Sequence, residues 1–195
     1  MLSSLFKNCL FALQLFLCVV TWPSYAQEFD ERRVRSGLKL FRTVLAADRD
    51  IHRKRTVDDK LLVLLVYTNA QHNAKTFAEE LENLGLGNKK GMIRNMPIKV
   101  KVINNKQLVS YREKRVAGVY LTQSLFDDEL AKLVQFGIDK HVVVYSPFEG
   151  DVDKGVFGGL VIDTRIHPLI NIDTMKASKL RIKSFFLKVA KKHES

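Results

Sequence analysis

With 195 residues, the chain has room for one domain that buries a core without covalent staples. Its two cysteines, Cys9 and Cys18, both fall in an N-terminal stretch read below as a removable leader, which excludes disulfides and thiolate metal sites from the body. Lysine and arginine number 32 against 21 acids, a formal charge of +11 that speaks to association with anions rather than to fold.

The leader comes first. Lys7 supplies a positive start, Leu10 to Val20 form an apolar run broken only by Gln14, and Trp22-Pro23-Ser24-Tyr25-Ala26 ends it with small residues at the −3 and −1 positions. This pattern predicts a secretory signal peptide over residues 1–26, cut after Ala26, and a body over 27–195. The bulky Phe16 and Leu17 ahead of Cys18 argue against a lipoprotein signal. The apolar run falls short of the ~20 residues that span a bilayer, and none of that length follows, so the exported body is expected to be periplasmic and without stable membrane insertion. Export removes nucleic acid from the expected partners and leaves lipid headgroups, cell-wall polymers and acidic protein surfaces for the basic charge.

Within the body, Val34, Leu38, Phe41 and Leu45 recur at helical spacing over 28–48. A basic cluster from Arg49 to Lys60 leads into Leu61-Leu62-Val63-Leu64-Leu65-Val66-Tyr67, whose unbroken apolarity predicts a strand covered on both faces. Asn69 is positioned to cap a helix that runs to about Leu84 and ends at Gly85. Residues 85–95 read as a loop, and 97–103 as a half-exposed strand near a sheet edge, with Ile98, Val100 and Val102 alternating against Lys99 and Lys101. A third strand is expected at 116–122, then a helix capped by Ser124, with Asp127 and Asp128 in its first turn and Gly137 at its end. A fourth strand, 141–145, stops at Ser146-Pro147. Strands at 156–162 and 166–172 are separated by Asp163-Thr164-Arg165, which predicts a hairpin. Asp173 opens the last helical region and Ser184 restarts it, with Phe185, Phe186, Leu187 and Val189 read as core and Lys188, Lys191 and Lys192 in its final turns.

The fold class is therefore α/β: a single three-layer domain whose mixed, mostly parallel sheet is flanked by helices and closes with an antiparallel hairpin and a helix.

The loop after the fourth strand lies where open α/β sheets bind ligands, beyond the carboxyl ends of strands. Ser146, Phe148, Glu149 and Asp151 in that loop, with Asp163 and Arg165 of the hairpin turn, are the candidate ligand- or partner-binding residues. Glu149, Asp151 and Asp153 alternate like the opening of a calcium loop, yet Lys154 stands where glycine is needed and no bidentate glutamate follows, so no metal is expected. Gly155, Gly158 and Gly159 have neither the spacing nor the placement of a dinucleotide fingerprint and are expected to mark a bulge or a close backbone approach. The histidines, at 52, 72, 141, 167 and 193, are too scattered to present a ligand pair. Ser124 and Ser146 lie in no nucleophile elbow, and no catalytic residue or cofactor is expected.

The C-terminal third also carries a family likeness. Gly158-Gly159-Leu160-Val161-Ile162, Ile170-Asn171-Ile172-Asp173, Leu180-Arg181-Ile182-Lys183-Ser184 and Phe186-Leu187-Lys188-Val189-Ala190 resemble the ending of YfiR-like periplasmic proteins. The resemblance implies a non-enzymatic periplasmic regulator that contacts the exterior domain of a membrane-anchored signalling protein, such as a diguanylate cyclase, with a homodimer as the expected form. The alternative is a periplasmic small-solute-binding protein whose pocket lies near 146–155 and 163–165.

Overall fold

The computed structural model describes residues 22–108, 110–112 and 115–194, with side chains from residue 28. The leader assigned to 1–26 lies outside the described residues as far as residue 21. The chain divides into two units, residues 1–33 and 34–195. The first contributes the opening turns of α1 (Trp22–Ala47), where Glu28 and Arg32 pair one turn apart.

In the second unit, β1 (Leu61–Tyr67) lies near the centre of an eight-stranded sheet. Its continuous apolarity follows from side chains that alternate between two covered faces. Leu61, Val63 and Leu65 meet Leu38, Phe41 and Leu45 of α1 and Phe77 and Leu81 of α2 (Gln71–Asn83). Leu62, Leu64 and Val66 share the opposite core with Leu130 and Leu133 of the helix after β4. Helices thus cover both faces, giving three layers.

The remaining strands are β2 (Met92–Ile93), β3 (Met96–Asn104), β4 (Gly118–Leu121), β5 (Val143–Tyr145), β6 (Gly158–Ile162), β7 (Ile166–Asn171) and β8 (Lys191–His193). Their order is β2-β3-β1-β4-β5-β6-β7-β8. Five neighbours, β3-β1-β4-β5-β6, run parallel, and β6 pairs antiparallel with β7 through the 163–165 turn, as the spacing predicted. The chain leaves β1 toward β3 and returns on the other side to β4, so the carboxyl ends of β1 and β4 flank a topological switch point.

Several local expectations are corrected. The 85–95 segment contains β2, which pairs with β3, and a 3-10 turn at Gly87–Lys89. A short helix, α3 (Asn105–Leu108), follows β3. Neither Asn69 nor Ser124 caps a helix: α2 begins after Ala70, and α4 (Asp127–Lys140) after Phe126, with no side-chain cap at either. Gly137 does not end α4. A Cβ there would sit 2.5 Å from Val144 Cγ2, so this glycine lets the helix approach β5, while His141, at φ 55°, ends the helix in the left-handed conformation. Asn171 caps α5 (Ile172–Ala177) by accepting from the Thr174 amide at 2.8 Å. In α6 (Ser184–Val189) Phe186 is buried, but Phe185 and Val189 are exposed rather than core. Lys191 and Lys192 belong to β8, parallel to β7, and not to a helix.

The close backbone approach expected of these glycines is found at Gly159, whereas Gly155 precedes the strand and lies in a turn at φ 101°. A Cβ on Gly159 would lie 2.6 Å from Val152 Cγ2 and 2.8 Å from the Ser146 carbonyl oxygen, a close backbone approach that leaves no room for a side chain.

Candidate binding site

The switch point is built from two short polar segments that follow buried strands: Thr68-Asn69-Ala70 after β1 and Thr122-Gln123 after β4. The Thr122 hydroxyl donates to the Val66 carbonyl at 2.9 Å, and Asn104 Nδ2, at the end of β3, donates to the Thr68 carbonyl at 2.8 Å. These bonds hold the three strand ends in register. The amides that enter α2 then converge on one acceptor. Gln123 Oε1 takes hydrogen bonds from the backbone amides of Thr68 (3.0 Å), Asn69 (3.1 Å) and Ala70 (2.9 Å) and from the Thr68 hydroxyl (3.1 Å). Its Nε2 donates to Asn69 Oδ1 at 2.6 Å. The glutamine therefore fills the concavity of amides just ahead of α2, where this topology admits an anion.

Beside it opens a crevice of about 240 Å³ beyond the carboxyl ends of β1, β3 and β4. Val66, Leu108, Leu125 and Leu133 form an apolar floor. Lys106 and Lys132 stand at the rim with Glu129, whose Oε1 accepts from Asn105 Nδ2 at 2.6 Å. An apolar floor under a rim of two ammonium groups and one carboxylate suits a small amphipathic anion or zwitterion.

The residues proposed from sequence fall elsewhere. Ser146, at the end of β5, donates to Asp151 Oδ2 at 2.5 Å and accepts from the Phe148 amide at 3.1 Å. Asp151 is buried, and burial raises its pKa, opposed by the Ser146 hydrogen bond. These two residues lock the loop from within. Phe148 packs half-buried against both cores, and Glu149 is exposed. Asp163 and Arg165 do not pair through their side chains: Asp163 Oδ1 accepts from the Arg165 amide at 3.0 Å and Oδ2 from Lys191 Nζ at 2.5 Å. The lysine bond, with the backbone amide next, holds the Asp163 carboxyl well below the usual carboxylate range. Neither group lines the switch-point crevice. Of the acids that suggested a calcium loop, Asp151 faces Ser146 and Asp153 pairs with His193 at 3.0 Å. Among the described residues, no three His, Cys, Asp or Glu side chains gather as a metal site would need.

No protein-family model matches the chain, and no curated protein does. A solved structure does share the fold, and others resemble it. The ABC domain in complex with L-Trp from Streptococcus pneumonia is 12% identical, with a TM-score of 0.50, covering 76% of this chain and 61% of that one. The ligand-free, open structure of CD0873, a substrate binding protein with adhesive properties from Clostridium difficile, is 14% identical (TM-score 0.49; 69% and 55% covered). A conserved domain protein from Vibrio cholerae is 12% identical (TM-score 0.47; 76% and 60% covered). The chain thus spans about three-fifths of the length of the structures it matches, and at these identities the likeness concerns architecture.

Proposed function

We propose that this chain is an exported, non-enzymatic binding protein of YfiR-like type that regulates a membrane signalling protein, such as a diguanylate cyclase, by direct contact. The observation that carries this reading is the role of the residues behind the resemblance. Gly159 admits Val152 and the Ser146 carbonyl, and Asn171 caps α5 while its Nδ2 donates to the Val152 carbonyl at 2.9 Å. The motif residues so placed are buried and architectural, and hold the scaffold on which a recognition surface would be presented. Phe185 and Val189, one turn apart on α6, leave apolar area that a protein partner can cover.

The test compares cells that lack the gene with cells in which it is restored. The expected result is a periplasmic protein without its leader and a severalfold change in cyclic diguanylate on deletion. An unchanged dinucleotide level overturns regulation of a cyclase, and an intact leader on a cytoplasmic protein overturns export.

A second reading, capture of a small solute, is favoured by one observation, the crevice at the switch point with its apolar floor and charged rim. The complex of the Streptococcus pneumonia domain with L-Trp makes amino acids the first solutes to screen. A solute at a hundred times its dissociation constant should stabilise the protein by ~2.7 kcal/mol. Loss of that shift on substituting Lys106 and Lys132 by glutamine would place the solute in this crevice, and no shift with any amino or carboxylic acid would exclude it.

A further inference from the structure

At the opposite, amino end of the parallel strands lies a larger cleft of about 350 Å³. Four separate segments supply its walls: residues 48–54 after α1, Arg115 and Val116 before β4, Lys140 and His141 at the end of α4, and 179–181 after α5. Six lysine and arginine side chains face it against two carboxylates, Asp48 and Asp50. Both carboxylates are already committed. Asp48 is fully buried, with Lys54 Nζ 2.7 Å from its Oδ2 and the Asp50 amide 2.9 Å from its Oδ1. Asp50 receives Arg181 through two guanidinium nitrogens and lies 3.6 Å from Arg53. The Arg181 hydrogen bond, the largest influence, holds Asp50 below the ordinary aspartate range.

Arg115, Lys140 and Lys179 remain. Arg115 donates to the Arg55 carbonyl at 3.0 Å, and none of the three is paired with a carboxylate among the described residues. Lys179 holds a left-handed backbone (φ 52°), as does His141, and His141 Nδ1 lies 3.1 Å from the Ser178 carbonyl oxygen, joining two walls of the cleft. Such a conformation is uncommon for a lysine. Three like charges gathered on one concavity repel each other, and a single carboxylate would neutralise only one of them. A phosphoryl group carries up to two negative charges and three acceptor oxygens, which matches guanidinium and ammonium donors arriving from several sides.

We propose that this cleft is a phosphoryl-binding site in which Arg115, Lys140 and Lys179 hold the anion and the Asp48–Lys54 pair fixes the floor. The site is distinct from the switch-point crevice and does not depend on the function proposed above. The phosphoryl group can belong to a soluble phosphate ester or to a phospholipid headgroup.

The whole chain without its leader, and a variant carrying Arg115→Gln, Lys140→Gln and Lys179→Asn, would be titrated with pyrophosphate by calorimetry and mixed with vesicles of phosphatidylglycerol or phosphatidylcholine. All three side chains are exposed, and asparagine tolerates the left-handed backbone at 179, so the variant is expected to fold. A second variant, Lys75→Gln, Lys89→Gln and Lys188→Gln, removes the same charge from exposed positions outside the cleft. Pyrophosphate binding weakened about tenfold or more in the cleft variant alone supports the soluble source. Retention on phosphatidylglycerol but not phosphatidylcholine vesicles, lost in the cleft variant alone, supports the headgroup. Binding of neither probe, or equal loss in both variants, overturns the site.

Discussion

Replacing Gln123 with alanine asks whether the switch point is sealed by its own side chain. The substitution removes the shared acceptor of three backbone amides and one hydroxyl, and the donor to Asn69. A typical intramolecular hydrogen bond contributes ~1 kcal/mol net, so the three amides set a ceiling of about 3 kcal/mol. The Asn69 amide bond is exposed and water can replace it, whereas those of Thr68 and Ala70 are partly buried. The expected loss is therefore about 2 kcal/mol, or roughly 4–8 °C in Tm for a domain of this size. Urea unfolding followed by circular dichroism measures it, with the slope m unchanged if the native fold is kept. A second signature follows from the uncovered amides: sulfate or acetate should raise the Tm of the variant more than that of the parent. A loss below about 0.5 kcal/mol, with no anion effect, would show that water already serves these amides and would refute the sealed switch point.

Phe41, fully buried with its ring centroid 5.2 Å from Tyr120 and 5.8 Å from Tyr145, should cost about 3–5 kcal/mol when replaced by alanine, read by urea unfolding and by loss of near-ultraviolet ellipticity. Gly137→Ala should destabilise by about 1–3 kcal/mol because the new methyl meets Val144, and pairing it with Val144→Ala should recover part of the loss. The raised pKa of Asp151 means that the folded state holds this proton more tightly than the unfolded chain, so its contribution declines as pH rises from the ordinary aspartate range through the higher folded value. Asp151→Asn should flatten that decline in a pH series of unfolding curves, while Ser146→Ala, which leaves the buried carboxylate without its hydroxyl donor, should steepen it.

The sheet was legible where burial is two-sided. The apolar 61–67 run and the β-branched 141–145 segment can be covered only as interior strands, and the 163–165 gap fits only a tight hairpin. What escaped has a physical reason in each case. β8 is a three-residue border strand whose lysines face solvent, so its pattern matches the end of an exposed helix. Gly137 has the composition of a helix stop, but its lack of a side chain serves a packing contact with Val144, and the left-handed residue is His141. The amides of the turn that leads into α2 are held by Gln123, more than fifty residues away, and no local rule reaches that far. The candidate site shows the same contrast. Ser146 and Asp151 were singled out and do meet, yet as an internal lock of the loop. The crevice and the basic cleft each gather residues from several segments, so composition disclosed the surplus charge without its location.

The two outermost strands are both stunted, β2 with two residues and β8 with three, of which two are lysines. On the β8 side, neighbouring molecules meeting flank to flank would find only a three-residue ladder to extend and would repel through its lysines. That flank should therefore resist growth into fibrils, and neutralising Lys191 and Lys192 together would be the shortest route to losing that resistance.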